Sequence, residues 1–372
     1  MITENRNNVA FTKSIYLKSV SFIMLLMVLL TSCKKNNFNP YKQIQPKGPK
    51  PAWAPTITPQ MLTVIEALDS ISPIPLYTLS PQEARLQPSP ADAAMRVMRN
   101  YGIPNPPMKV DTIGRDIPVP EGSLIHVRIY TPKTGKGSYP VIVYYHGGGW
   151  VIATIDTYNA SAQALAEQTD AIVISVEYRK GPEFKFPTAH EDAFEAYKWA
   201  IANASTLKGD STHMAVAGES AGGNMAITVS IMARDRGVRM PLHQLAIYPV
   251  ANNDLNSTSY IQYAAAKPLN RPLIEWFLMH YLNTPAESAD PRIAVLKADL
   301  AGLPGVTIIG AEIDPLQTEG KLIADKFMAA GVKTTYKLYV GVTHEFFGMA
   351  QVIPEAKDAQ ALAASQLKNA LK

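Results

Sequence analysis

The chain is nearly without cysteine: one residue, Cys33, in 372. A single thiol excludes an internal disulfide framework, a thiolate zinc site and an iron–sulfur site. Charge is also sparse, at 18% of residues against 47% hydrophobic, so the composition is that of a folded protein with a large core. One large domain, or at most two, is expected from the length. No apolar run is long enough to span a bilayer: the longest, Val20 to Leu30, falls short of the roughly 20 residues needed. The formal charge of +4 is unevenly placed, because residues 1–65 hold eight bases and one acid, leaving 27 bases and 30 acids for the rest. The body from residue 66 onward is therefore slightly acidic, at −3, and offers no basic stripe for a nucleic acid.

What the N-terminus does have is a pattern of export. Arg6, Lys13 and Lys18 precede the short apolar run, which ends in small polar residues, so residues 1–32 read as a signal peptide. Leu30-Thr31-Ser32-Cys33 resembles the lipobox of bacterial lipoproteins, and that resemblance implies cleavage before Cys33 and lipidation of its thiol. Residues 33–52, rich in lysine and proline and without hydrophobic periodicity, read as a tether. The expected location is outside the cytoplasm on a bacterial membrane, and Lys34 in the position after the cysteine favours the outer one.

Sixteen of the 29 prolines lie between Pro40 and Pro120, which leaves room there only for short helices, expected at Met61–Leu68 and Ala91–Arg99. From Leu124 the pattern changes. Leu124–Thr131 alternates as a strand, and short apolar runs follow at Val141–Tyr145, Ala171–Val176, Met214–Ala217, Leu245–Tyr248, Val306–Gly310 and Thr335–Val340. Helical stretches near Tyr158–Gln168, Glu191–Ala204, Gly223–Arg236, Leu316–Ala330 and Ala356–Leu371 separate or follow them. Continuous apolar strands alternating with helices predict an α/β fold with a mostly parallel sheet covered on both faces. Functional groups in such sheets gather at the carboxyl ends of the strands.

Gly218-Glu219-Ser220-Ala221-Gly222 sits between a strand and a helix, the context in which Gly-x-Ser-x-Gly forms a sharp elbow presenting a nucleophilic serine. Glu219 reads as an acid near a helix start that stabilises the turn. A serine attacking a carbonyl creates an oxyanion that needs preset backbone donors. His146-Gly147-Gly148-Gly149-Trp150, just after the first parallel strand, can supply them, and the expected donors are the amides of Gly147, Gly148 and Ala221. The loop lacks the Gly-Lys-Ser/Thr ending of a phosphate-binding loop, and His146 reads as its support.

The serine also needs a base near neutral pKa and an acid to orient it. Of seven histidines, three follow Ser220: His243, His280 and His344. Sheets bearing this elbow carry acid and base after the serine, at strand ends. His344 follows the last apolar run and Asp314 follows the one before it, with Glu312 as the alternative acid. No spacing suggests a metal, and His190-Glu191-Asp192 reads as a charged helix start.

Together His146–Trp150, Tyr178-Arg179, Pro182-Glu183, Phe186-Pro187, Gly218–Asn224, Asp290–Arg292, Glu312–Leu316 and Thr343–Gly348 resemble the bacterial hormone-sensitive-lipase-like esterases of the α/β-hydrolase superfamily. The resemblance implies an α/β-hydrolase domain over residues 53–372, with Ser220 as nucleophile, His344 as base and Asp314 as its acid. It further implies a helical cap built from about 53–101 and 254–283, the latter carrying Tyr260, Tyr263, Trp276, Phe277 and Tyr281. The implied activity is hydrolysis of short-chain acyl or acetyl esters without a cofactor. A small-molecule or glycan-linked ester is the implied substrate. Deacetylation of polysaccharide, an amidase, a longer-chain lipase, or a binding protein on the same fold are the alternatives.

Overall fold

The structure, a computed structural model, describes residues 39–372. The expected signal peptide, and Cys33 with the start of the tether, lie outside the described residues. Eight strands form one sheet in the order β1-β2-β4-β3-β5-β6-β7-β8. They are β1 Val110–Pro118, β2 Leu124–Pro132, β3 Tyr139–Tyr145, β4 Ile172–Glu177, β5 Gly209–Glu219, β6 His243–Ile247, β7 Gly305–Ile313 and β8 Thr334–Thr343. β2 runs antiparallel to both β1 and β4, and every pairing from β4 to β8 is parallel.

The main helices are α1 Pro59–Ile71, α2 Pro90–Asn100, α3 Asn159–Thr169, α4 Thr188–Asn203, α5 Ala221–Asp235, α6 Arg271–Tyr281, α7 Gln317–Ala329 and α8 Pro354–Ala370. Proline at the first turn of α1 and α2 is well placed, since the missing N–H is one that a helix start leaves unpaired anyway. Thr58 caps α1 by accepting from Met61 N, and Ser89 with Asp92 closes a capping box on α2.

Strand alternation divides the core between the two faces of the sheet. Ile142, Tyr144, Ala215 and Ala217 pack with Leu165 of α3, Met61 of α1 and Ala363 of α8. Val141, Val143, Tyr145 and Val216 pack on the other side with Phe194 of α4, Met225 of α5 and Phe277 of α6. Both faces being covered, β4 and β6 are buried almost throughout, and the apolar runs in the sequence reflect that burial.

Three features differ from the sequence reading. β1 has no apolar run to announce it: it is an edge strand, mostly exposed, held by its ladder to β2. β8 extends to Thr343, so His344 follows the strand directly instead of four residues on. The described part of the expected tether lies on the body. Ile44 is fully buried in the core, the backbone N–H groups of Lys47 and Gly48 donate to Glu66 at 2.8 and 2.7 Å, and the Tyr41 hydroxyl donates to the Ala350 carbonyl. Proline content suppresses regular structure without preventing packing, and a buried isoleucine together with these hydrogen bonds docks the segment.

Candidate active site

β5 ends at Glu219 and α5 begins at Ala221, so Ser220 alone makes the turn between them, with φ 58° and ψ −119°. A side chain held at such an angle costs about 1–3 kcal/mol, supplied by the surrounding packing. The Ser220 N–H is pinned to the Ile247 carbonyl at 2.9 Å and its own carbonyl starts the helix by accepting from Asn224 N. The flanking glycines are sterically required: a Cβ on Gly222 would stand 2.0 Å from the Tyr145 carbonyl oxygen, and one on Gly218 2.2 Å from that of Gly222.

At the end of β3 the loop His146–Trp150 turns through positive φ at Gly148, Gly149 and Trp150. The Tyr178 hydroxyl faces the carbonyls of His146 and Gly147, at 3.0 and 3.1 Å. In a planar trans peptide the N–H points opposite to the carbonyl, so these contacts turn the amides of Gly147 and Gly148 away from Tyr178. His146 is a brace, as expected: it is fully buried, its ring stacks on Tyr178 at 4.2 Å, and Nδ1 lies 2.7 Å from the Gly147 carbonyl. Burial pushes its pKa down to about 4, which keeps it neutral.

Asp314 follows β7, and its Oδ2 lies 2.6 Å from Nδ1 of His344, while Oδ1 accepts from Leu316 N at 2.9 Å. Both residues are buried. Burial opposes a charge on His344, yet attraction and a hydrogen bond from Asp314, with Glu345 and Glu219 nearby, lift its pKa above the usual histidine value. With Nδ1 donating to Asp314, Nε2 is left as the acceptor a base needs. Glu312 is otherwise engaged, accepting from Gly341 N at 2.7 Å. His243 bonds Thr307 and His280 packs on Trp276, so neither competes for the role.

A cavity of about 400 Å³ brings these parts together, lined on the sheet side by Gly148, Gly149, Ser220, His344 and Glu345. Gly147 sits behind it against the Tyr158 hydroxyl. The opposite wall comes from two separated stretches, including Leu68, Tyr77 and Pro88 from the proline-rich part and Leu269, Leu273 and Phe277 from the later insertion. Trp276 Nε1 joins these stretches by donating to the Leu79 carbonyl at 3.1 Å. Of the five aromatics noted in the insertion, Phe277 lines the cavity, and Tyr281 is instead bonded to His190.

Two readings are sharpened here. Glu219 does stand just before a helix start, and it is buried there with its carboxylate receiving the hydroxyls of Tyr144 and Tyr248. Within His190-Glu191-Asp192, His190 is buried against Asn224 and Asp192 is buried against Arg179, at 2.7 Å; Glu191 is the member that pairs near the surface, with Arg236. The partners lie far along the chain, out of reach of any local pattern. Tyr248, whose ring stands 4.5 Å from that of His344, and Glu345, which accepts from Tyr158, also went unrecognised. The one local hint was their place, at the end of a strand and directly after the histidine.

A family model described as having the α/β-hydrolase fold matches residues 142–348. The carboxylesterase NlhH of Mycobacterium tuberculosis is 39% identical over 251 residues, covering 66% of this chain and 79% of its own length. An ethyl acetate hydrolase of Pseudomonas putida is 31% identical over 316 residues, covering 83% of this chain and 97% of its own. Among solved structures, a thermostable esterase from Pseudomonas putida superposes with a TM-score of 0.77 at 30% identity, over 86% of this chain and 99% of that one.

Proposed function

The chain belongs to the hormone-sensitive-lipase-like esterases of the α/β-hydrolase superfamily and is a serine carboxylesterase, and we propose that Ser220, His344 and Asp314 are its catalytic triad. The observation that carries this reading is the shared cavity: Ser220 and His344 line it together while Asp314 fixes the far nitrogen of His344. Ser220 Oγ attacks the ester carbonyl as its proton passes to Nε2 of His344. The amides of Gly148, which lines the cavity beside Ser220, and of Ala221 receive the developing oxyanion, whereas Gly147, expected as a further donor, sits behind the cavity. Collapse expels the alcohol, which takes the proton back from His344; water then attacks the acyl-enzyme as His344 takes its proton, and that proton passes to Ser220 Oγ as the acid leaves.

The substrates are short-chain acyl esters, in keeping with the modest cavity and with the relative named for ethyl acetate. Ser220→Ala is expected to abolish hydrolysis of a chromogenic acetyl ester while leaving the circular dichroism spectrum and melting temperature close to the native values. A fluorophosphonate is expected to label the native protein at Ser220 and not the variant. Residual turnover at the native rate in the variant would refute the assignment, and absence of labelling would favour a binding protein. Esters from acetyl to palmitoyl, run alongside acetylated glycans, test the substrate class.

The protein is further proposed to be exported and held on a bacterial membrane, the outer one favoured, by lipid on Cys33, a reading that rests on the lipobox-like sequence alone. Cells fed an alkyne-tagged fatty acid are expected to label the native chain and not Cys33→Ser. Equal labelling of both would end the anchor hypothesis.

A further inference from the structure

Beside the proposed base lies an arrangement that proton transfer itself does not use. Glu219 is 1% exposed, and each of its carboxylate oxygens takes a tyrosine hydroxyl: Tyr144 on Oε1 at 2.5 Å and Tyr248 on Oε2. Two donors on two oxygens suit the ionised form, which is costly to bury without such partners. Tyr248 carries a second cost, since its backbone stands at φ 35°, a region bulky residues avoid. Its N–H is held to the Ile309 carbonyl at 2.6 Å, and its ring rests 4.5 Å from that of His344 with 50° between the planes. Glu219 thus gathers β3, β5 and β6 at their carboxyl ends, with the residue before the nucleophile tied to the ring that faces the base.

We propose that Glu219 and Tyr248 form a clamp that positions His344: Glu219 fixes the Tyr248 hydroxyl, and the Tyr248 ring walls the imidazole so that Nε2 stays aimed at Ser220. The proposal rests on the triad reading. Neither residue touches the reacting atoms, so both are positioning residues. The titratable groups facing His344 are Asp314 from the loop after β7, Glu345 next in the chain, Glu219 at the end of β5 and Tyr248 at the end of β6. Burial raises the Tyr248 pKa well above 10, so its hydroxyl remains neutral, and burial raises that of Glu219 as well. When His344 gains a proton, the Glu219 carboxylate favours the resulting cation.

The test is a double-mutant cycle on Glu219→Gln and Tyr248→Phe, with kcat, KM and the pH profile of kcat/KM measured on each full chain. Glu219→Gln is expected to lower kcat about tenfold or more with KM little changed. It is also expected to move the acid limb of the profile to lower pH, because His344 loses an attractive charge. Tyr248→Phe keeps the wall and loses its tie, so a smaller fall in kcat is expected, and the double variant should be no worse than Glu219→Gln. Native kcat and an unmoved acid limb in folded Glu219→Gln would overturn the proposal, as would additive losses in the double variant. If Glu219→Gln fails to fold, Tyr248→Phe decides alone: a several-fold loss of kcat at native melting temperature supports the clamp and native kcat sinks it. Fluorophosphonate labelling of the native protein separates the two levels, since its failure would strike the triad, whereas labelling with native-like variants would strike the clamp only.

Discussion

Two carboxylates stand two residues apart where β7 ends, and geometry gives them different work. Asp314 spans the imidazole and the Leu316 amide, while Glu312 reaches the Gly341 amide and so ties β7 to β8 three residues before His344. Asp314→Asn replaces an acceptor-only group with one that also donates, and so favours the wrong tautomer of His344. It is expected to lower kcat by roughly 10³–10⁴-fold with KM and melting temperature near native. Glu312→Gln should leave kcat within a few-fold, and ester hydrolysis at matched enzyme concentration separates the two. Equal losses would mean that the acid has been misassigned. The sequence already ranked Asp314 first because order and strand-end position are local facts. It could not reveal Glu219 or Tyr248, since a tyrosine at the end of an apolar strand reads as core until the ring beside it is known.

At the scale of elements, legibility follows burial. The parallel strands β3 to β7 announced themselves because burial under helices on both faces favours apolar residues, whereas β8, at the far edge and only part-buried, showed itself through its β-branched and aromatic residues. β1 did not, since an exposed edge strand asks only for backbone pairing and tolerates Asp111, Gly114, Arg115 and Asp116 in its span. The cavity wall opposite the triad shows the same limit. Periodicity gave an aromatic face to the insertion, yet which ring meets the cavity depends on how α6 is set down. That is fixed by contacts between distant parts: Trp276 on the Leu79 carbonyl, Tyr281 on His190, and Phe277 so close over the oxyanion loop that a Cβ on Gly149 would stand 2.2 Å from its ring. The absence of a side chain at Gly149 therefore serves packing against α6 as well as the turn of the loop. Arg85 adds a further tie, from the proline-rich stretch to the carbonyls of Val151 and Gly181 at 2.9 and 2.6 Å. The wall is thus bound to the loop it faces, and the insertion and the proline-rich stretch act on the site as one unit.

For the whole molecule, the basic N-terminal part and the faintly acidic body remain distinct, but the division falls earlier than composition suggested. Ile44 is fully buried, as is Ala54, and Glu66 of α1 holds the backbone at Lys47 and Gly48. Burying an isoleucine is worth about 1.5–3 kcal/mol. The stretch from Tyr41 therefore belongs to the folded body, which leaves Cys33 only eight residues from it in the sequence. A chain beginning at residue 39 is expected to melt at the native temperature, whereas one beginning at residue 55 should melt several degrees lower. The shorter chain loses the Ile44 contact and strips Glu66 of its two amide donors. Ester hydrolysis at low temperature should persist in both, because no described residue of the removed segment lines the cavity. Identical melting temperatures would return the segment to the role of a tether; a selective loss in the shorter chain would show that proline and lysine content here conceals a docked strap that the catalytic body needs for stability.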